Sequence, residues 1–241
     1  MGSALGPEDV AFLASYRAQD WPRIAVTVDM VVLTVIDSDL KVLAVTRPDP
    51  PFRGRLALPG GFVRAGDQAP DESLDDAAHR VLADETGLPP RSCRLEQLQA
   101  FGDLGRDPRM RVISVAWCAL VQPGLAARVP ADRDAQWCSV ATLDTTTLAF
   151  DHAAILARAL ERLRARLDDT PLAFALVPPT FTIPELRAVY EAVRAESYDP
   201  ANFRRRFRRW IDDGVIAPAP GHRTTARKPA PVYRVVSASL S

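Results

Sequence analysis

Five arginines fall within six positions of the stretch Asn202-Phe203-Arg204-Arg205-Arg206-Phe207-Arg208-Arg209-Trp210-Ile211. At about 100° per residue, Phe203, Phe207 and Trp210 share one face of a helix, and Asn202, Arg205, Arg208 and Arg209 share the opposite one. The first face packs and the second is cationic. Arginine reads guanine edges or holds phosphates, and asparagine reads adenine, so this is the composition of a helix that enters a major groove. Arg204 and Arg206 flank the cationic face and suit backbone phosphates. Downstream, His222-Arg223-Thr224-Thr225-Ala226-Arg227-Lys228 places Arg223, Arg227 and Lys228 on a tip suited to the DNA backbone or minor groove. Thr182, at the start of the preceding helix, is a further candidate contact.

The elements that must position these groups carry local signals. Thr182-Ile183-Pro184-Glu185 is a capping box, with Leu186, Val189, Tyr190 and Val193 as the apolar stripe of the helix it opens. Asp199-Pro200 opens a second helix, proline at its first position, which ends near Gly214. Short strands at 215–217 and 232–236 follow. Helix, turn, helix and two-stranded ribbon is the order of a winged helix-turn-helix, here 180–241, with 171–179 as a linker. From Thr180 to Ser241 the chain carries eleven Arg and Lys against six Asp and Glu, net +5. Residues 1–179 carry 19 basic and 24 acidic residues, net −5, so the formal total of zero hides an acidic body and a basic end. Such asymmetry points to nucleic acid, and with no aromatic stacking platform in view, to duplex DNA rather than RNA.

The body, 1–170, alternates strands with helices. Residues 7–18 read as a leading helix, 24–35 and 41–46 as a hairpin turning at Asp37-Ser38-Asp39, and 72–86 as a helix stopped by Gly87. Strands follow near 95–101, 111–121 and 136–139, then a helix from an Asp151 cap to about Leu167. The expected class is α/β (α+β). A content of 47% hydrophobic and 25% charged residues is ordinary for a globular chain and excludes disorder as its general state. Cys93, Cys118 and Cys138 are scattered, without metal-ligand spacing, which fits a reducing compartment. Neither a signal peptide nor an 18-residue apolar run is seen, so the expectation is a cytoplasmic protein with no membrane partner. With Lys41 and Lys228 as its only lysines, the chain has the composition of a GC-rich bacterial genome.

A second cluster lies in Leu58–Leu88. Gly60-Gly61 precedes Phe62-Val63, Glu72 stands eight residues before Arg80, and Asp84-Glu85-Thr86-Gly87-Leu88 closes the run. This segment resembles the Nudix box. The resemblance implies a sandwich that handles diphosphates with a divalent cation, Mg or Mn, held by hard oxygen ligands. Two departures stand out. Val81 occupies the place of a ligand glutamate, leaving Asp84 and Glu85 as the candidate metal ligands. Gly61 stands eleven residues before Glu72 where the family has six. Both imply weak or absent hydrolysis with ligand binding retained. Asp75 and Asp76 read as a solvated face, whereas Glu85 lies in the apolar stripe and requires a cation or a donor such as Arg80.

Pro51–Pro59, Phe101-Gly102-Asp103, Arg106-Asp107-Pro108-Arg109 and Phe150-Asp151-His152 extend the likeness to Nudix-related transcriptional regulators, the NrtR family, over residues 24–236. The implied protein is a homodimeric repressor of NAD biosynthesis or salvage genes, with ADP-ribose or a related nucleotide as effector and a double-stranded operator as partner. Arg47, Arg55 and Arg109 suit the phosphates through bidentate donors, and Phe52 or Phe101 suits stacking on a base. The plainer readings are loop solubility for the arginines, core packing for Phe101 and a local structural role for His152. An active pyrophosphatase with a regulatory tail and a sugar-responsive regulator are the competing functions.

Overall fold

The computed structural model describes residues 5–66, 70–89, 92–130, 134–168, 171–224 and 229–236. Helix α1 (Pro7–Ser15) buries none of its residues. Strand β1 (Ala25–Ile36) turns through Asp37 and Ser38, both at positive φ, into β2 (Asp39–Thr46), as a tight hairpin of right-twisted strands requires. Short strands β3 (Leu56–Ala57) and β4 (Gly60–Phe62) precede α2 (Leu74–Thr86). Then come β5 (Arg94–Phe101), β6 (Val112–Leu120), the single turn α3 (Pro123–Ala126), β7 (Ala135–Ser139) and α4 (His152–Arg166).

The seven strands form one mixed sheet in the order β3-β2-β1-β6-β5, with β4 added to β1 and β7 to β2. β1 and β6 run parallel in a register from Ala25↔Val112 to Leu33↔Leu120. Successive side chains of a strand point to opposite faces. Val28, Met30 and Val32 of β1 accordingly pack with Ala77, Ala78, Val81 and Leu82 of α2, while Val31, Leu33 and Val35 pack on the other side with Ile155, Leu156 and Ala159 of α4. A strand covered on both faces must be apolar at nearly every position, which is why β1 reads as an unbroken β-branched run. The helix expected over 72–86 begins two residues later, because the Ser73 side chain accepts the Asp76 N–H and so caps it, and Gly87 at φ 70° ends it.

The C-terminal part contains α5 (Ile183–Arg194), α6 (Pro200–Asp212), β8 (Ile216–Arg223) and β9 (Ala230–Val235), the last two paired antiparallel. Its core is aromatic: Phe174, Phe181, Tyr190, Phe203 and Phe207 are buried together, with Trp210 against them. The segment expected to be a linker folds instead as a 3₁₀ turn over Pro171–Leu176, with Leu172, Phe174 and Leu176 buried. Those side chains belong to the same apolar cluster as α4 and α5, so one core runs through both halves. Among the described residues, no helix is long and apolar enough to cross a membrane.

Candidate functional site

An open cleft lies where β1, β4 and the loops before β6 and α4 meet; Arg47, Arg106, Arg109, Phe62 and Phe150 are among its lining groups. Its floor is a buried charge cluster. Arg106 bonds Asp151 through two nitrogens, at 2.9 and 2.7 Å, and Asp29 Oδ2 at 3.1 Å. Ser114 Oγ donates to the same Asp29 oxygen at 2.5 Å. Asp29 sits in the middle of an apolar strand, where an ionised carboxylate survives only if paired, and Arg106, with its side chain 5% exposed, is that partner. Gly60 is obligatory here, since a Cβ on it would lie 2.3 Å from Asp29 Oδ1.

His152 closes the floor. Its Nδ1 accepts the Leu58 N–H at 2.9 Å, which leaves Nε2 to carry the ring proton, 3.7 Å from Asp29 Oδ1. Burial lowers its pKa, which favours the neutral ring. Asp151 stands at the N-cap position of α4, as its type suggests, yet makes no side-chain cap bond because Arg106 holds its carboxylate.

Above the floor, Arg109 is held by Asp107 at 2.7 Å and lies 5.5 Å from the Phe62 ring centre. Arg47 lies 4.8 Å over Phe150. Burial, and then the neighbouring Arg109, lower the Arg47 pKa, while Asp107 and Asp49 raise it; its Nε donates to the Pro51 carbonyl at 2.8 Å. Two guanidiniums beside two rings can take a phosphate and a flat base together. Of the residues singled out by sequence, Arg47, Gly60, Gly61 and Arg109 converge here. Phe52 stands behind the lining, edge-on to Phe150 at 4.9 Å. Arg55 instead donates to the carbonyl oxygens of Thr146, Thr147 and Leu148, stapling that loop. Phe101 packs half-buried against the core, outside the cleft. Asp29 escaped the sequence reading, and Phe62 and Phe150 figured there only as parts of motifs, not as ligand-binding groups; for Asp29 the available signal was a lone carboxylate inside an apolar strand.

Glu72 and Arg80 form a bidentate pair at 2.6 and 2.9 Å, and Arg80 also donates to the Phe62 carbonyl at 2.9 Å. The pair ties the loop after β4 to α2, so Arg80, offered above as a partner for Glu85, has Glu72 as its principal one. Arg80 holds the Glu72 carboxyl at about 2, against an ordinary value of 4.5. A depressed carboxylate pKa stabilises the fold fully above the ordinary value and loses that contribution as the pH falls towards the depressed one. Urea unfolding at pH 7 and pH 3 therefore shows a smaller loss of stability for Glu72→Gln than for the wild-type chain; equal losses would refute the assignment.

The donor set does not fit a resident divalent cation. Val81 is buried and has no donor, its Cγ2 lying 3.2 Å from where a Cβ on Gly61 would stand. Asp84 is over half exposed and lies 3.5 Å from Arg80 Nη1. Glu85 is half-buried. Among the described residues no group of three His, Cys, Asp or Glu is placed to hold a metal.

In the C-terminal part, α6 exposes Asn202, Arg204, Arg205, Arg208 and Arg209. Arg205 donates to Asn202 Oδ1. Arg204 and Arg208 line a groove with Arg187 of α5, walled by Pro231 and Tyr233 of β9. Thr182 is 2% exposed and capped reciprocally with Glu185, which makes it the N-cap of α5 rather than an open surface. Arg223 bonds Glu185 at 2.5 Å and the Thr180 carbonyl at 2.8 Å. Arg206 turns inward to Asp168 at 2.6 Å. Arg227 and Lys228 lie outside the described residues.

A mixed sheet between two helices, with an arginine-lined cleft beside its central strand and a winged helix at its end, defines a Nudix-type domain joined to a DNA-binding fold. The NUDIX domain family matches residues 26–160, and the NrtR DNA-binding winged helix domain matches residues 173–235. The ADPR responsive transcriptional repressor NtrR of Acinetobacter baylyi is 34% identical over 93% of this chain and 87% of its own. The crystal structure of Shewanella oneidensis NrtR superposes with a TM-score of 0.76 at 32% identity, covering 90% of this chain and 96% of that one. Its complex with a 27mer DNA gives 0.74 at 31%, covering 89% and 94%. The NUDIX domain of the same protein with ADP ribose gives 0.53 at 33%, covering 64% and 98%. The chain belongs to the NrtR family of Nudix-related transcriptional regulators.

Proposed function

We propose that this chain is a DNA-binding transcriptional repressor of NAD biosynthesis or salvage genes, and that its Nudix-type domain binds ADP-ribose as an effector without hydrolysing it. The observation that carries the reading is the pairing of Arg47 and Arg109 with Phe62 and Phe150 in one cleft, beside a box whose ligand position is the buried Val81. A diphosphate engages the guanidiniums and a base the rings. A pentose alone offers the arginines no anion, which disfavours a sugar as effector. Two copies, as a homodimer in the cytoplasm, present two α6 helices to paired half-sites of an operator. The likeness to an NrtR solved with DNA and to one solved with ADP ribose supports both halves of the proposal.

An effector shifts DNA binding only through a difference in its affinity for the two conformations. Saturating ADP-ribose is expected to change operator affinity by a factor on the order of 5–150, read by fluorescence anisotropy on labelled duplex. The same preparation with Mg²⁺ or Mn²⁺ is expected to release no phosphomonoester from ADP-ribose. Equal operator affinity with and without ADP-ribose rejects the effector reading, and steady turnover favours an active pyrophosphatase with a regulatory tail.

A further inference from the structure

α4 has one end in each half of the molecule. Its first turn is part of the cleft floor: Asp151 is gripped by Arg106, and His152 accepts the Leu58 N–H. Its last turn is docked on the winged helix. Arg164 Nε donates to the Val193 carbonyl at 2.9 Å, and the Tyr190 hydroxyl donates to the Leu167 carbonyl at 3.0 Å. Just beyond, Asp168 takes Arg194 of α5 at 2.7 Å and Arg206 of α6 at 2.6 Å, one on each carboxylate oxygen. Arg206 is held in that direction by two rings, Tyr190 at 4.7 Å and Trp210 at 5.0 Å. The arginine-rich helix thus sends one of its five guanidiniums back to the sensor domain.

We propose that Asp168 is a positioning residue for α6, and that α4 carries the state of the cleft to it. This rests on the effector reading above and deepens it. At the input end, Arg106 lines the cleft and is shared between Asp29 and Asp151. An anion that draws Arg106 outward loosens its hold on Asp151, which already occupies the N-cap position without capping. The freed carboxylate then takes the cap, and the first turn shifts with it. A 15-residue helix is a rod of about 22 Å, so movement at its start reaches its end, where Asp168 sets the direction of α5 and α6 together. Exposed ion pairs contribute little to stability, but a carboxylate divided between two helices fixes their angle to a third.

The test uses the full chain, ADP-ribose as probe and labelled operator duplex. In the wild-type protein the ratio of operator dissociation constants with and without saturating ADP-ribose defines the coupling. Asp168→Asn is expected to bind ADP-ribose within about twofold of wild type, while the ratio falls towards one; by linkage, the effect of operator on ADP-ribose affinity falls by the same factor. Asp168→Glu is expected to restore part of the ratio, which a purely structural loss would not explain. Tyr190→Phe, which removes the bond to Leu167 without removing the ring, is expected to lower the ratio as well. A wild-type ratio retained in both Asp168→Asn and Tyr190→Phe overturns the proposal and leaves the effector reading standing. A ratio of one in the wild-type protein overturns the effector reading, and this one with it.

Discussion

Arg204→Glu together with Arg208→Glu abolishes operator binding while ADP-ribose binding persists. These two side chains and Arg187 line the groove between α5, α6 and β9, and both are solvent-exposed on α6. Losing one arginine contact to DNA costs about 1–3 kcal/mol, so two removed together cost roughly 2–6 kcal/mol, and the added negative charge increases that further. The expected loss is on the order of 30-fold to beyond 10⁴-fold, read by anisotropy at physiological salt. The milder pair Arg204→Ala and Arg208→Ala separates the electrostatic part: each lost phosphate contact lowers the slope of log K against log salt by about 0.9. Arg206→Ala separates the two roles, because Arg206 is committed to Asp168 and two rings: its salt slope stays near the wild-type value while the coupling to ADP-ribose falls. Unchanged operator affinity in the double glutamate variant would remove α6 from the DNA interface.

Arg106→Leu produces the largest expected loss of stability. The substitution removes the cation between Asp29 and Asp151, and Asp29 has nowhere to go: its side chain is 8% exposed in the centre of the sheet. Breaking a buried pair by deleting one partner costs about 3–5 kcal/mol, because the remaining charge is left uncompensated. At roughly 2–4 °C per kcal/mol for a chain of this size, thermal unfolding shifts down by about 10 °C. Arg106→Leu combined with Asp29→Asn recovers much of that loss, since the second change removes the stranded charge and leaves an amide beside Ser114. Identical melting of Arg106→Leu and wild type would mean that the cluster contributes nothing to the fold.

The parts of this architecture written locally were legible in the sequence. The Thr182 capping box, the proline opening α6, the hairpin turn at Asp37 and Ser38 and the stop at Gly87 are all decided within a few residues, and the structure has each of them. The cleft was legible only in part, because parallel pairing of β1 with β6 brings together residues 87 positions apart. Side-chain type suggests that Arg47, Arg55 and Arg109 suit an anion, but it does not reveal that three backbone carbonyls already occupy the Arg55 fork. Asp151 shows the same limit. Its position predicts a cap, whereas a buried guanidinium in need of a counter-charge outbids the helix terminus. A helical wheel puts Arg206 at the margin of the cationic face, and only Asp168, 38 residues earlier, decides that it turns inward. The 171–179 segment misled because proline suggests an open connector, while Leu172, Phe174 and Leu176 between the prolines carry the core across it.

That continuous core bears on how such regulators can be recombined. Because the apolar cluster beneath α4 passes through Leu172 and Phe174 to Phe203 and Phe207 without a break, the DNA-reading end is no detachable cassette. A chimaera joined at the boundary suggested by sequence pattern would split a packed interior and leave greasy surface on both pieces. Altering the DNA-binding end of this sensor therefore calls for point substitution on its surface rather than exchange of the whole part, with the seam left whole.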